Sequence, residues 1–248
     1  MGKIVVKIGG IASDNLTKSF FEQIKQWHLD GDEVVIVHGG GHYITEMMER
    51  LNIPVMIEEG LRVTTEQTLK IAQMVLIGQV QPAITTVFQQ QGFAAIGLNA
   101  SCDKLIQGEV LDKKRGYVGK ITKINSAPIE NILYKHYIPI IAPLGMTAEG
   151  QWLNINADAA ACKIAEALGA KALYLLTDVP GVKKAGKWLK ELSSAEVEQL
   201  KIENVITGGM LPKLANAVSA LENGVSEIHI TNKIEYSGTV LKKEETFV

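Results

Sequence analysis

Cysteine is almost missing from this chain: 248 residues contain two, Cys102 and Cys162, in neither C-x-x-C nor zinc-ligand spacing. That argues against a disulfide framework and suits a reducing compartment, with both thiols read as packing residues. Aromatic residues make up only 6%, and no excess of one charge exists, the formal net charge being −2 with lysines scattered throughout. A basic stripe for nucleic acid is therefore not expected. No charged leader with a long apolar stretch opens the sequence, no segment reads as long enough to span a membrane, and Val6 stands where a myristoylation pattern needs Ser or Thr. The expectation is a cytoplasmic protein that binds neither membrane nor nucleic acid. Known signature loops are missing too. No G-x-x-x-x-G-K-[ST] occurs, no G-x-G-x-x-G, and no G-x-S-x-G to accompany the lipase-like run His38, Gly39, Gly40, Gly41.

What is present is that run itself. The β-branched residues Val34, Val35, Ile36 and Val37 end in His38 and three glycines, followed by a helical pattern from about 42 to 51. Bare main-chain amides and a helix N-terminus together form an anion cradle. A tight turn without a ligand would explain one such triplet equally well. The design occurs twice, however: the strand-like residues 3–8 run into Gly9 and Gly10, and a helix with Leu16, Phe20, Ile24 and Trp27 at helical spacing follows, with Asp14 placed to cap it. Strand, helix and strand in this order form a right-handed βαβ unit whose anion sites lie beyond the strands' C-terminal ends.

Thr64 to Gln67 offers a capping-box start to a long helix running towards Gln91, with a bend at Gln81 and Pro82. Residues 93–98 read as a strand, and 105–110 with 117–124 as a hairpin about the charged tip 112–115, a candidate lid. A helix at 128–134, a strand at 138–142, a loop at 143–150 and a helix at 157–168 follow. Residues 172–176 form the next strand, ending in Thr177, Asp178, Val179, Pro180 and Gly181. A helix near 193–200, the loop at Thr207, Gly208 and Gly209, a helix to Asn223, a strand at 225–230 and an extended 238–241 complete the chain. With 46% hydrophobic residues, this alternation of strands and helices predicts a doubly wound α/β fold.

Candidate chemical groups are few. Lys7 is a lysine among buried β residues beside a glycine loop. Lys213 follows Pro212, which sets a helix's first turn, yet alone it would pass for a solvated lysine. Asp158 sits where a carboxylate complements a helix dipole, and Asn154 and Asn156 are ordinary loop or capping residues. Arg62, in a glycine-flanked loop, has the fork that suits a carboxylate. His38 by itself reads as a structural group.

Taken as an ordered set, these segments resemble the amino acid kinase family. They are Lys7-Ile8-Gly9-Gly10, His38-Gly39-Gly40-Gly41, Gly60-Leu61-Arg62-Val63-Thr64, Asn154-Ile155-Asn156-Ala157-Asp158, Thr177-Asp178-Val179-Pro180-Gly181-Val182 and Gly208-Gly209-Met210-Leu211-Pro212-Lys213. The resemblance spans essentially the whole chain and is greatest to the branch that phosphorylates N-acetyl-L-glutamate in arginine biosynthesis. It implies a three-layer αβα sandwich around a central, mainly parallel sheet, with a substrate lobe at about 1–155 and a nucleotide lobe at about 156–248. It implies that Lys7 and Lys213 stabilise the transferring phosphoryl group and that Asp158 holds both lysines. By the same resemblance Gly40 and Gly41 offer amides to the reacting groups, Arg62 and Asn154 grip the α-carboxylate, and Asn156 contacts the substrate. Gly9, Gly10, Thr177, Asp178, Gly181 and Gly209 fall to ATP, with Mg²⁺ held mainly by its phosphates and water and no protein metal ligand. A homodimer that arginine does not inhibit, using the 64–91 helix as its contact, is also implied. The turn 99–104 departs from the family, which carries glycines around an aspartate there. Kinases of aminoadipate derivatives, more remotely glutamate 5-kinase and uridylate kinase, and a non-catalytic sensor stay open as alternatives.

Overall fold

The computed structural model describes residues 2–9, 16–203, 205–206 and 208–243. Its strands are β1 (Lys3–Ile8), β2 (Glu33–His38), β3 (Ile57–Glu58), β4 (Leu61–Arg62), β5 (Ala95–Leu98), β6 (Ile106–Val110), β7 (Gly119–Ile124), β8 (Ile138–Ile141), β9 (Leu144–Met146), β10 (Trp152–Asn154), β11 (Ala172–Leu176), β12 (Lys183–Lys184), β13 (Lys187–Trp188), β14 (Glu191–Leu192), β15 (Glu227–Thr231) and β16 (Thr239–Lys242). The helices are α1 (Lys18–Leu29), α2 (Gly41–Arg50), α3 (Glu66–Val75), α4 (Gln81–Gln90), α5 (Ala127–Tyr134), α6 (Ala157–Leu168), α7 (Ser194–Ile202) and α8 (Met210–Glu222).

Eight strands form one sheet in the order β14-β16-β15-β11-β1-β2-β8-β5, parallel throughout except where β16 runs against β15. Continuous β-branched strands such as Val34 to Val37 need cover on both faces, and they have it. Ile4, Val6, Ile8, Val34 and Ile36 pack with α1 to α4, whereas Val5, Val35, Val37, Leu173 and Leu175 pack with α5 to α8. The result is the three-layer sandwich, with a core on each side of the sheet.

Local expectations were corrected at several places. The helix that 64–67 starts is capped by Thr65, whose hydroxyl accepts from Thr68 N, in place of a box closed by Gln67. The cap expected of Asp14 lies outside the described residues, and Thr17 caps α1. Residues 143–150 are not simply a loop: β9 lies there and, with β6, β7 and β10, builds a second, four-stranded sheet. The candidate lid is thus a strand pair packed into a sheet. Finally, α3 and α4 fuse through a π-helical segment, Leu76–Val80, into a continuous 25-residue helix containing an 18-residue stretch of mean hydropathy 1.4, long and apolar enough by those measures to cross a membrane. The sequence led to the expectation of this long helix, with a bend at Gln81 and Pro82, but not of a segment of membrane-spanning length. Here Leu69, Ile71, Ala72, Val75, Leu76, Val80, Ile84 and Phe88 are buried in the protein core.

Candidate active site

Side chains alternate along a strand, so Lys7 continues the face of Val5, towards α6. Asp158 occupies the first turn of α6 and Lys213 the first turn of α8. Lys7 Nζ lies 3.0 Å from Asp158 Oδ1, and Lys213 Nζ lies 2.7 Å from Oδ2. Side-chain exposure is 11%, 16% and 9% for Lys7, Asp158 and Lys213, so water screens this triad poorly. Burial pushes the Asp158 carboxyl up, but the charges of Lys7 and Lys213 outweigh it and hold the group below the usual carboxylate range. Lys213 moves down, first through burial and then through the like charge of Lys7, with Asp158 opposing. One carboxylate shared by two ammonium groups leaves a positive charge for an incoming anion.

That charge borders a cleft of about 440 Å³ at the C-terminal ends of β1 and β2. Lys7, Gly9, Gly40, Gly41, Arg62, Asn154, Asn156 and Asp158 all line it, with Ile44, Leu61, Leu76 and Val118 among its apolar walls. The two glycine loops are tied together by Gly39 N donating to Ile8 O at 2.7 Å. Gly40 precedes α2, whose first turn opens towards the cleft. A β-carbon on Gly40 would fall 2.4 Å from Leu76 Cδ2, so glycine here lets the π-helical segment pack close beneath the loop without moving the Leu76 side chain.

Arg62 is held ready by α2. Its Nη2 donates to Gly41 O at 2.9 Å and to Thr45 Oγ1 at 2.6 Å, and burial lowers its pKa. Asn154 is joined to the same loop through Thr64, to whose Oγ1 its Nδ2 donates at 3.0 Å. Asn156 turns its side-chain oxygen to cap α6, accepting from Ala159 N at 3.0 Å, so of its amide only the nitrogen end is left for the cleft it lines. His38 is fully buried; its Nδ1 meets Gly39 O at 2.7 Å, which places the proton on Nδ1, and burial lowers its pKa to about 4. It is neutral at physiological pH.

Thr177, Asp178, Gly181 and Gly209 do not line this cleft. They lie along the other half of the sheet: Thr177 follows β11, with its N bonded to Thr231 O, and Gly209 caps α8. Gly10 and Thr207 lie outside the described residues. The atypical turn at 99–104, closed by Asn99 Oδ1 on Ser101 N, also contributes nothing to the cleft wall. Sequence reasoning missed Thr45, Leu76 and Thr64. Thr45 lies one helical turn from Gly41, a signal that could have found it, whereas nothing local marks a π-helical turn. Among the described residues no cluster of three His, Cys, Asp or Glu could hold a metal, and Asp158, the sole carboxylate among the lining residues, is already engaged by lysines.

An α/β sandwich with paired lysines on one carboxylate and glycine amides at a strand edge defines a class that handles phosphoryl groups. The chain belongs to the amino acid kinase family, which it matches over residues 2–232. More narrowly, it is 54% identical over 242 residues to the acetylglutamate kinase of Listeria monocytogenes serotype 4b, covering 97% of each chain, and 46% identical to that of Leuconostoc citreum, covering 96% of this chain and 98% of the relative. A crystal structure from Streptococcus mutans UA159 superposes with a TM-score of 0.92 at 38% identity, covering 97% of this chain and 98% of that one.

Proposed function

We propose that this protein transfers the γ-phosphoryl group of ATP to the γ-carboxylate of N-acetyl-L-glutamate, the acetylglutamate kinase reaction of arginine biosynthesis. The full-length relatives that carry this activity in their names support it, and the single observation that carries the chemistry is the Lys7–Asp158–Lys213 triad, of which Lys7 and Asp158 line the cleft and Lys213 stands behind Asp158. A free γ-carboxyl group titrates at about pH 4.3, so at neutral pH it is already the nucleophile and needs no base. A neutral, enclosed His38 agrees with that.

The difficulty is bringing two anions together in line. Arg62 and Asn154 take the α-carboxylate, with Asn156 beside them, and the amides of Gly40 and Gly41 face the reacting end. Lys7 and Lys213 match the charge that spreads over the phosphoryl oxygens, and Asp158 keeps both from swinging away. Gly9 and Gly10 offer amides to the nucleotide phosphates from the first glycine loop, and Thr177, Asp178, Gly181 and Gly209 serve the nucleotide from a nucleotide lobe, about 156–248, beside a substrate lobe, about 1–155. The donor set fits a Mg²⁺ ion carried by the nucleotide phosphates and water, since the nearby carboxylate is occupied; such an ion supplies charge neutralisation. A cytoplasmic homodimer joined through the 64–91 helix completes the reading.

Trapping the acyl phosphate with hydroxylamine tests it. Hydroxamate should form only with MgATP and the acetylated acceptor and collapse in Lys7→Ala and Lys213→Ala. Product with an aminoadipate derivative or free glutamate alone would move the substrate assignment, and binding without product would make the protein a sensor.

A further inference from the structure

Thr64 is completely buried in the floor between the two substrate-side loops, and each of its hydrogen-bonding groups is committed. Its N donates to Arg115 O at 3.0 Å, and its O accepts from Tyr117 N at 2.8 Å, seating the turn of the β6–β7 strand pair on it. A β-carbon at Gly116, the residue between them with φ +66°, would lie 2.2 Å from Thr64 O, so this seat exists only for glycine. The side chain points the other way. Thr64 Oγ1 lies 2.8 Å from Arg62 O, a carbonyl that can only accept, so the hydroxyl gives its one proton there. Towards Asn154, 3.0 Å away, the hydroxyl can then only accept. That fixes which end of the Asn154 amide faces Thr64: the nitrogen does, leaving the second N–H and the amide oxygen for the cleft.

We infer that Thr64 is a positioning residue for acceptor binding, setting the Asn154 amide orientation and the Arg62 backbone from one hydroxyl. It touches no reacting atom, and the inference rests on the proposed carboxylate grip of Arg62 and Asn154. An isosteric valine removes both hydrogen bonds while filling the same space.

The test is steady-state kinetics of Thr64→Val, Thr64→Ser, Asn154→Ala and the Thr64→Val/Asn154→Ala double variant, beside Arg62→Ala. Thr64→Val should raise the acceptor KM about tenfold, the scale of one hydrogen bond, with kcat and the KM for ATP within about twofold. Serine should restore the wild-type KM, and in the Asn154→Ala background the valine should cost clearly less than about tenfold, because the amide it orients is gone and only its bond to Arg62 O is left to lose. Wild-type behaviour of Thr64→Val, while Arg62→Ala and Asn154→Ala raise KM, would overturn the inference alone. So would an undiminished valine effect in the double variant, which would mark a merely structural residue. An unchanged KM in Arg62→Ala and Asn154→Ala would overturn the carboxylate grip and the inference together.

Discussion

The two halves of the central sheet handle their candidate residues differently. On the β1–β2 side, side chains from segments far apart in the chain converge on one cleft, and each is held before any ligand arrives: Arg62 by Gly41 and Thr45, Asn154 by Thr64, Asp158 by two lysines. On the β11–β15 side, Thr177, Asp178, Gly181 and Gly209 are strung along loops and a helix start, outside that cleft. Side-chain recognition needs a pre-positioned pocket, since each loose rotamer costs free energy on binding. Recognition through main-chain amides needs only loops of the right backbone shape, and glycine supplies those without a pocket.

The comparison is most sharply tested at the charge cluster where the halves meet. Lys213→Ala should lower kcat roughly 10²- to 10³-fold, the scale of losing one group that stabilises transition-state charge, with both KM values little moved. Hydroxamate formation measures it. Next in size, Arg62→Lys should raise the acceptor KM about tenfold or more and leave the KM for ATP unchanged, because an ammonium cannot be anchored at one nitrogen, as Nη2 is by Gly41 O and Thr45 Oγ1, and still present further planar N–H groups to a carboxylate. An equal rise in the KM for ATP would erase the division between the halves.

The loop side has its own paired test. A β-carbon at Gly181 would lie 2.5 Å from Thr239 Oγ1 and 3.1 Å from Thr239 N, whereas one at Gly209 would meet nothing within 4 Å. Gly181→Ala should therefore weaken ATP binding about fivefold, read by calorimetry, from roughly 1 kcal/mol of displacement in the Thr239 contact, and Gly209→Ala should bind nearly as wild type. The effect smallest on catalysis, and felt in stability instead, concerns pH. His38 has a folded pKa of about 4 against 6.5 when free, so the unfolded chain binds its proton first. Its contribution, of order 3 kcal/mol, is fully present above pH 6.5 and is lost as pH falls towards 4. The lowered Asp158 acts in the same direction at lower pH. Denaturant midpoints of wild type and His38→Gln should converge as pH drops through that window, while kcat shows no titration from His38.

Much of the fold was legible because it is locally encoded. The β-branched run before Gly39, the proline at position 212 and the periodic apolar residues of α1 specify their elements within one window of sequence. The helix over 64–91 was legible in extent but not in its π-helical turn, where Leu76 packs close to Gly40, a neighbour far away in sequence. For the same reason β9 was hidden in 143–150: its pairing partners, β6 and β10, decide that it is a strand. The site residues were nameable through resemblance, yet Thr45 and Thr64 carry no chemical mark of their own and matter only through what they hold.

Sequence alone therefore determined the alternation of strands and helices, the two glycine loops at strand ends, and the residue types able to meet an anion, since each depends on backbone preference and periodicity over neighbouring residues. Only the tertiary structure decided that Lys7, Asp158 and Lys213 share one buried charge cluster, that Asn156 gives its oxygen to a helix, and that one threonine joins Arg62 to Asn154. Those facts are distances between segments remote in the chain, and distances of that kind are set by sheet order, strand register and the packing of helices across them.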